Sequence, residues 1–215
     1  MRCRIFLFVL LSLFLAAFPA TAQNVLYENG PINGEELGWT INFGFAVSDT
    51  FTISGGTSNV NGMIFGAWLF PGDVLETVDL SITSDEFGGT TYFDQQVSFT
   101  PSSCFINQYG YNVCAETGLF SGPTLNNGTY WMNLQNAVVN TGDPAYWDNN
   151  GGVGCHSQGC PSLPSENDLG TIPSESFSVL GATQGGTGTT PEPSSLLLVG
   201  TGFCAAIGTL RRIKF

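Results

Sequence analysis

Lysine and arginine are missing from most of this chain. All five lie at its two ends, as Arg2, Arg4, Arg211, Arg212 and Lys214. Between residues 23 and 190 there are sixteen Asp or Glu residues, and the only basic side chain is that of His156. Such a segment repels nucleic acid, because neutralisation of phosphates by Lys and Arg supplies most non-specific affinity. We therefore expect no nucleic-acid partner, and nucleotide and phosphate-ester enzymes are disfavoured for the same reason.

Sequence motifs of common catalytic sites are absent as well. The chain contains no G-x-x-x-x-G-K-[ST] loop and no G-x-S-x-G nucleophile elbow. A Ser–His–Asp arrangement would have to use His156, which lies between two cysteines in a Gly-rich loop. The adjacent acids Glu35-Glu36 and Asp85-Glu86 are typical of solvated turns rather than of the paired carboxylates of a glycosidase. We expect no catalytic site, and a secreted hydrolase that uses paired carboxylates is the least favoured alternative.

The N-terminus has the three parts of a secretory signal. Arg2 and Arg4 precede an apolar run over residues 5–18, and Ala20-Thr21-Ala22 follows with small residues at the spacing that signal peptidase needs. This pattern predicts a signal peptide over residues 1–22 that is removed after Ala22. The remainder of the chain is then exported.

The C-terminus contains a second apolar run, over residues 194–210. These seventeen residues carry no charge and are followed at once by a basic tail, residues 211–215. As a helix they span about 25 Å, slightly short of a bilayer core, and the flanking arginines can make up the difference by snorkelling. We expect a single transmembrane helix with its basic end in the cytoplasm. The Gly/Thr-rich stretch 181–190 before it is predicted to be a flexible linker.

Pro191-Glu192-Pro193 stands directly before this run. Two prolines around a carboxylate favour an extended, exposed segment that suits a processing enzyme. The order of Pro-Glu-Pro, apolar span and basic cluster (Arg211, Arg212) resembles the PEP-CTERM sorting signal of Gram-negative bacteria. The resemblance covers residues 190–215 and implies cleavage by an exosortase, delivery to the cell surface and an association with exopolysaccharide and biofilm.

The central segment, residues 23–180, has the pattern of an all-β domain. Apolar and polar residues alternate with the two-residue period of strands in several runs. These runs cover residues 39–47, 50–54, 73–83, 130–135 and 177–179. Residues 63–70 are apolar on both faces and are predicted to form a central strand. Short strands separated by Gly-, Asn- and Pro-rich turns favour an antiparallel β-sandwich or jelly roll, with a closed barrel as the alternative.

Four cysteines remain once Cys3, in the leader, and Cys204, in the apolar span, are set aside. They are Cys104, Cys114, Cys155 and Cys160. In an exported protein an even set of cysteines indicates disulfides, and three pairings are possible. We favour Cys104–Cys114 and Cys155–Cys160, because each closes a short loop. A zinc site that includes His156 is disfavoured, because the spacings do not match those of structural zinc sites.

Two candidate ligand sites follow from side-chain chemistry. Asp143, Asp148, Asn149 and Asn150 cluster in one predicted loop and offer oxygen ligands for calcium, although their spacing is not that of an EF-hand. Trp131 falls on the polar face of its strand beside Asn133 and Gln135, an arrangement that could stack on a sugar and hydrogen-bond its hydroxyls. Trp39, Trp68 and Trp147 are predicted to be core residues.

The sequence therefore favours a non-enzymatic surface or extracellular-matrix protein. It would need no cofactor other than the candidate calcium, and its partners would be signal peptidase, the exosortase and extracellular polysaccharide. A carbohydrate-binding module that uses Trp131 is the alternative hypothesis.

Overall fold

The computed structural model describes residues 24–184. The regular structure of this part consists of β-strands, and it contains no helix that is long and apolar enough to cross a membrane. The predicted signal peptide at 1–22, the sorting motif at 191–193, the span at 194–210 and the basic tail lie outside the described residues.

Thirteen strands form one antiparallel sheet that curls over on itself. The predicted all-β antiparallel class is confirmed. The strands are β1 (Asn24–Glu28), β2 (Gly38–Thr40), β3 (Ala46–Ile53), β4 (Ser58–Leu69), β5 (Leu75–Asp85), β6 (Gly88–Ile106), β7 (Asn112–Leu119), β8 (Thr124–Leu125), β9 (Gly128–Val139), β10 (Tyr146–Asp148), β11 (Ser165–Glu166), β12 (Gly170–Thr171) and β13 (Phe177–Thr183).

The curled sheet has two layers and is sandwich-like. The first layer has the order β1-β13-β4-β7, with β8 and β10 paired to β4 and β2 paired to β10. The second layer has the order β5-β9-β3-β11-β12. The 19-residue strand β6 joins the layers, because its first half pairs with β5 and its second half with β7. On the other side β1 and β3 approach each other, with the Tyr27 and Phe51 rings 6.4 Å apart, but no ladder joins these two strands in the described residues.

One hydrophobic core fills the space between the layers. Its centre is a chain of aromatic rings in which Trp147 contacts Phe65 and Phe177 edge-on, with ring centroids 6.0 and 5.5 Å apart. Phe177 in turn packs against Tyr27 at 5.6 Å. Each fully buried side chain of this size contributes about 1.5–3 kcal/mol relative to exposure. The prediction that Trp147 is a core residue is confirmed.

Several predicted strands are confirmed with their faces. In β5, Val78, Leu80 and Ile82 are fully buried while the alternate positions are polar. The run apolar on both faces lies in β4, which is central because it pairs with β13 on one side and β7 on the other. The alternation at 130–135 lies in β9, between β3 and β5.

The prediction of one strand over residues 39–47 is wrong. β2 ends at Thr40 and β3 begins at Ala46, with a turn between them in which the Phe45 N–H donates to the Asn42 carbonyl at 3.1 Å. Phe43 and Gly44 both have left-handed backbone angles, with φ of 58° and 93°. Phe43 continues the alternating sequence pattern, but it is exposed and not part of the core. Its position in the pattern is therefore a coincidence. At the other end, β13 runs to Thr183, three residues into the stretch assigned to the linker.

Candidate functional site

A groove of about 240 Å³ opens at one end of the first layer. We call it the Trp68 groove, and its lining residues are Leu37, Gly38, Trp68, Tyr109, Tyr111 and Tyr146. Four of the six are aromatic, and they come from β4, from the β6–β7 hairpin and from β10. A wider depression of about 540 Å³ lies near Asn59 and Gly122, but its one aromatic ring, Phe120, is stacked on Phe93 at 4.5 Å. The Trp68 groove therefore offers the larger set of aromatic rings.

Trp68 forms the floor of this groove. Its neighbours in β4, Ala67 and Leu69, belong to the core, so the two-residue period turns Trp68 to the outer face of the layer. Other side chains cover it there, Tyr109 and Tyr111 among them, so that only 4% of its surface is exposed. The prediction that Trp68 is a buried core residue is confirmed, although it lies outside the cluster between the layers. The ring is buried under the hairpin and the segment before β2 instead of between the layers.

The tip of the β6–β7 hairpin supplies Tyr109 and Tyr111. Its conformation is fixed by Asn107, whose side-chain oxygen accepts the N–H groups of Tyr109 and Tyr111, each at 3.0 Å. The Gln108 amide also donates to the Glu35 carbonyl, which ties the tip to the segment before β2. As a result the Tyr109 ring stacks on Trp68 with centroids 5.8 Å apart while 55% of its surface stays exposed.

A disulfide closes this hairpin at its base. Cys104 on β6 is bonded to Cys114 on β7, ten residues along the chain, and the aromatic tip lies between them. The second disulfide, Cys155–Cys160, is in the long loop after β10. Both predicted pairings are confirmed.

Tyr146 completes the wall beside Gly38. It makes a hydrogen bond with Tyr111, and the two rings meet edge-on with centroids 5.6 Å apart. Burial, the hydrogen bond and the charge of Tyr111 raise the pKa of Tyr146 to about 12, so its hydroxyl stays protonated at neutral pH. A side chain at position 38 would approach the Tyr146 Cβ to 2.8 Å, which explains the glycine there.

Asp148 supports the groove from below. Its carboxylate accepts four hydrogen bonds: from Trp68 Nε1 at 2.6 Å, Ser176 Oγ at 2.9 Å, and the backbone N–H groups of Gly34 at 3.0 Å and Asn33 at 3.1 Å. These bonds fix the indole and the segment before β2 together. Burial raises the pKa of Asp148, and the four donated bonds oppose that rise.

The four candidate calcium ligands are not arranged as one open site. Asp148, Asn149 and Asn150 are fully buried, whereas Asp143 is exposed. The side-chain oxygens of Asn149 and Asn150 accept the N–H groups of Gly151 and Gly152, and the Asp148 oxygens accept the bonds above. Among residues 24–184 no group of three or more His, Cys, Asp or Glu side chains is arranged to hold a metal ion.

The face of β9 that carries Trp131, Asn133 and Gln135 is closed differently. We call it the Trp131 face. Trp131 is half-buried between Thr50 of β3 and Thr83 of β5, and Gln135 is exposed. Asn133 is buried, and its amide makes four bonds, with Ser48 Oγ, Phe87 N–H, Ser81 Oγ and Thr83 Oγ1. Its hydrogen-bonding capacity is used inside the protein.

Three further carboxyl groups are buried, which the sequence did not reveal. Asp49, Glu116 and Glu175 are fully buried, and the described residues contain no Lys or Arg to pair with them. Burial raises the pKa of Asp49 to about 7, against hydrogen bonds from Ser162 and from the N–H groups of Glu175 and Thr50. Burial raises the pKa of Glu116 to about 7 as well. Burial raises the pKa of Glu175 well above its ordinary value, and the charges of Asp49 and Asp148 add to this.

The comparisons with known proteins name no family. No protein-family model matches the chain, and a search of curated proteins finds no significant match. Sequence reasoning missed the Trp68 groove because Trp68 and Tyr146 each lie 35 or more residues along the chain from the two tyrosines of the hairpin tip. The available signal was the Tyr-Gly-Tyr at 109–111 between two cysteines, which indicates a disulfide-closed hairpin with aromatic residues at its tip.

Proposed function

We propose that this chain is an exported, non-catalytic surface or matrix protein whose β-domain binds carbohydrate through the Trp68 groove. The observation that carries the proposal is the convergence of four aromatic side chains from separate elements on one accessible groove. Aromatic faces pack against the C–H faces of sugar rings, and the Tyr109 hydroxyl is available to bond a sugar hydroxyl. A sandwich or jelly-roll frame, the finer fold that we assign, is common among lectin domains.

In this proposal the two ends of the chain are the targeting signals. The leader at 1–22 directs export through the inner membrane, and the span at 194–210 anchors the protein there until an exosortase cuts near Pro191–Pro193. The domain then reaches the cell surface or the extracellular matrix, where exopolysaccharide is the ligand at hand. Replacing Pro191, Glu192 and Pro193 by alanine should leave the protein membrane-anchored. Unchanged mass and location of the mature protein would contradict the sorting step.

Binding is tested on an array of glycans with the exported protein and its Tyr109→Ala variant. Tyr109 is the most exposed ring of the groove, so its removal deletes stacking surface without opening the core. We expect a loss of about 1.5 kcal/mol, or about tenfold in affinity.

The matched control is Tyr92→Ala. Tyr92 is also an exposed tyrosine, with 41% of its surface accessible, but it packs edge-on against Tyr130 in the second layer. This variant should bind like the wild type. An array without any binding, or equal losses in both variants, would remove the proposal.

A further inference from the structure

The surroundings of the Trp68 groove are acidic. Glu35 and Glu36 directly precede Leu37 of the groove lining, and both are exposed, with the Glu36 carboxylate beside Gly151 of the loop after β10. The Glu35 carbonyl is held by Gln108 of the aromatic tip, so the backbone that carries this pair is attached to the groove wall. Residues 24–184 contain no Lys or Arg that could neutralise the pair. An anionic ligand at this position would meet like charge, and a cationic ligand would meet opposite charge.

The rings themselves also favour a cation. The faces of Tyr rings carry partial negative charge, and a cation over such a face gains about 0.5–2 kcal/mol. Trp68 donates its indole N–H to the carboxylate of Asp148, which places an acidic group at the edge of the indole. Tyr111 and Tyr146 are held at right angles to each other, so rings face the groove from more than one direction.

From these two observations we infer that the groove selects sugars that carry a protonated amine, the units of a deacetylated amino-sugar polymer, over neutral and anionic sugars. The ammonium lies among the tyrosine faces, near the segment that carries Glu35 and Glu36, and the sugar ring stacks on Tyr109. This inference rests on the proposed function and names its ligand class. It does not require a metal or any cation from the protein.

The test compares two oligosaccharides that differ only in the amine: a glucosamine hexamer and its fully N-acetylated form. Affinities are measured by calorimetry with the exported protein at pH 6, where the amine is protonated. We expect the amine form to bind at least tenfold more tightly, with an advantage that shrinks as salt is raised. The double variant Glu35→Gln/Glu36→Gln should lose most of that preference.

A control variant of equal charge change comes from the other adjacent acid pair. Asp85→Asn/Glu86→Gln removes two exposed acids at the tip of the β5–β6 hairpin, outside the groove lining. It should keep the preference for the amine.

The preference for an amine and the binding of glycans by the Trp68 groove can fail separately. Equal binding of the two hexamers, weakened by Tyr109→Ala, would overturn the amine preference and leave the glycan-binding function intact. Binding of the amine form that ignores Tyr109→Ala, or that falls equally in both acid-pair variants, would mean attraction to the acidic surface alone and would also overturn the inference. No binding of either hexamer, together with an empty glycan array, would remove both.

Discussion

The two layers of this domain each carry a tryptophan on the outer face beside a buried polar group with four hydrogen bonds. Beneath Trp68 that group is Asp148, which bonds the indole, a serine and two backbone N–H groups. On the Trp131 face it is Asn133, which bonds three hydroxyls and one backbone N–H. The first arrangement supports a groove, because its bonds hold a separate segment and an indole. The second joins neighbouring strands and the tip of a hairpin to one another, and it leaves no amide for a ligand.

The difference shows that an outward tryptophan flanked by amides does not by itself make a binding face. What distinguishes Trp68 is the arrival of rings from other elements, above all the stapled hairpin tip. A polar group that accepts bonds from several segments can organise a site, whereas one that satisfies its own sheet closes a surface.

Asp148 and Asn133 are both satisfied by hydrogen bonds, whereas some other buried acids in the described part of the chain lack hydrogen-bond donors. We expect these acids to have the largest effect, which is on the pH dependence of stability. Unlike Asp148, Glu116 has no hydrogen-bond partner for either oxygen among residues 24–184, and it faces the core because it is paired directly with Phe65. Its pKa is raised by burial to about 7 in the folded state, against about 4 when unfolded. Between these two pKa values the folded protein binds more protons than the unfolded chain, so the free energy of unfolding falls as pH rises. Glu116 alone should remove roughly 3 kcal/mol between pH 4 and pH 8, and Asp49 should contribute in the same direction.

Urea unfolding across this pH range measures the slope. Glu116→Gln removes one titrating group without breaking any bond, so its stability should fall less steeply than that of the wild type. Glu86→Gln, an exposed acid, is the control and should follow the wild-type curve. Stability that rises from pH 4 to pH 8 would contradict the assignment of Glu116 as a buried, unpartnered acid.

The second prediction compares the two four-bond groups directly. Asp148→Ala leaves a buried indole N–H, a hydroxyl and two backbone N–H groups without their acceptor, and unsatisfied buried donors are expensive. We expect a loss of about 3 kcal/mol in the free energy of unfolding, together with loss of glycan binding. Asn133→Ala should lose about 1–2 kcal/mol, because three of its four partners are hydroxyls that can rotate to other partners, and it should bind normally. Denaturant titrations and the glycan assay measure both quantities, and equal effects on binding would show that the two faces are not different in kind.

The sequence predicted this fold better than its site, for physical reasons. Strands such as β5 and β9 were recognisable because one of their faces is buried, which forces the two-residue period, and short cysteine spacings indicated both disulfides. The break at Phe43 was hidden because a turn can carry apolar residues in the phase of a strand. The Trp68 groove and the buried acids depend on which strands become neighbours, such as β10 beside β4. No local pattern of residues specifies those contacts.

The two disulfides extend the comparison to the hairpin. Each closes a short loop, so loop entropy predicts a cost of about 2–3 kcal/mol for removing either one. Only Cys104–Cys114 encloses the aromatic tip. The double variant Cys104→Ala/Cys114→Ala should therefore weaken glycan binding severalfold, and Cys155→Ala/Cys160→Ala should lose similar stability but keep its affinity. If glycan affinity fell in both variants in proportion to their loss of stability, the Cys104–Cys114 disulfide would have no specific role in the groove.

The smallest expected effect belongs to Trp131. Replacing it by phenylalanine keeps an aromatic ring between Thr50 and Thr83 and deletes part of a half-buried surface, so we expect about 1 kcal/mol of lost stability. Glycan affinity should change by less than twofold, because Asn133 beside it is engaged with Ser48, Ser81, Thr83 and the Phe87 N–H and cannot turn to a sugar. Trp131→Phe and Tyr109→Ala measured side by side on the same glycans decide which layer binds. A tenfold loss in the first with none in the second would move the binding site to the Trp131 face, and the Trp68 groove would then be a structural contact between the hairpin and its sheet.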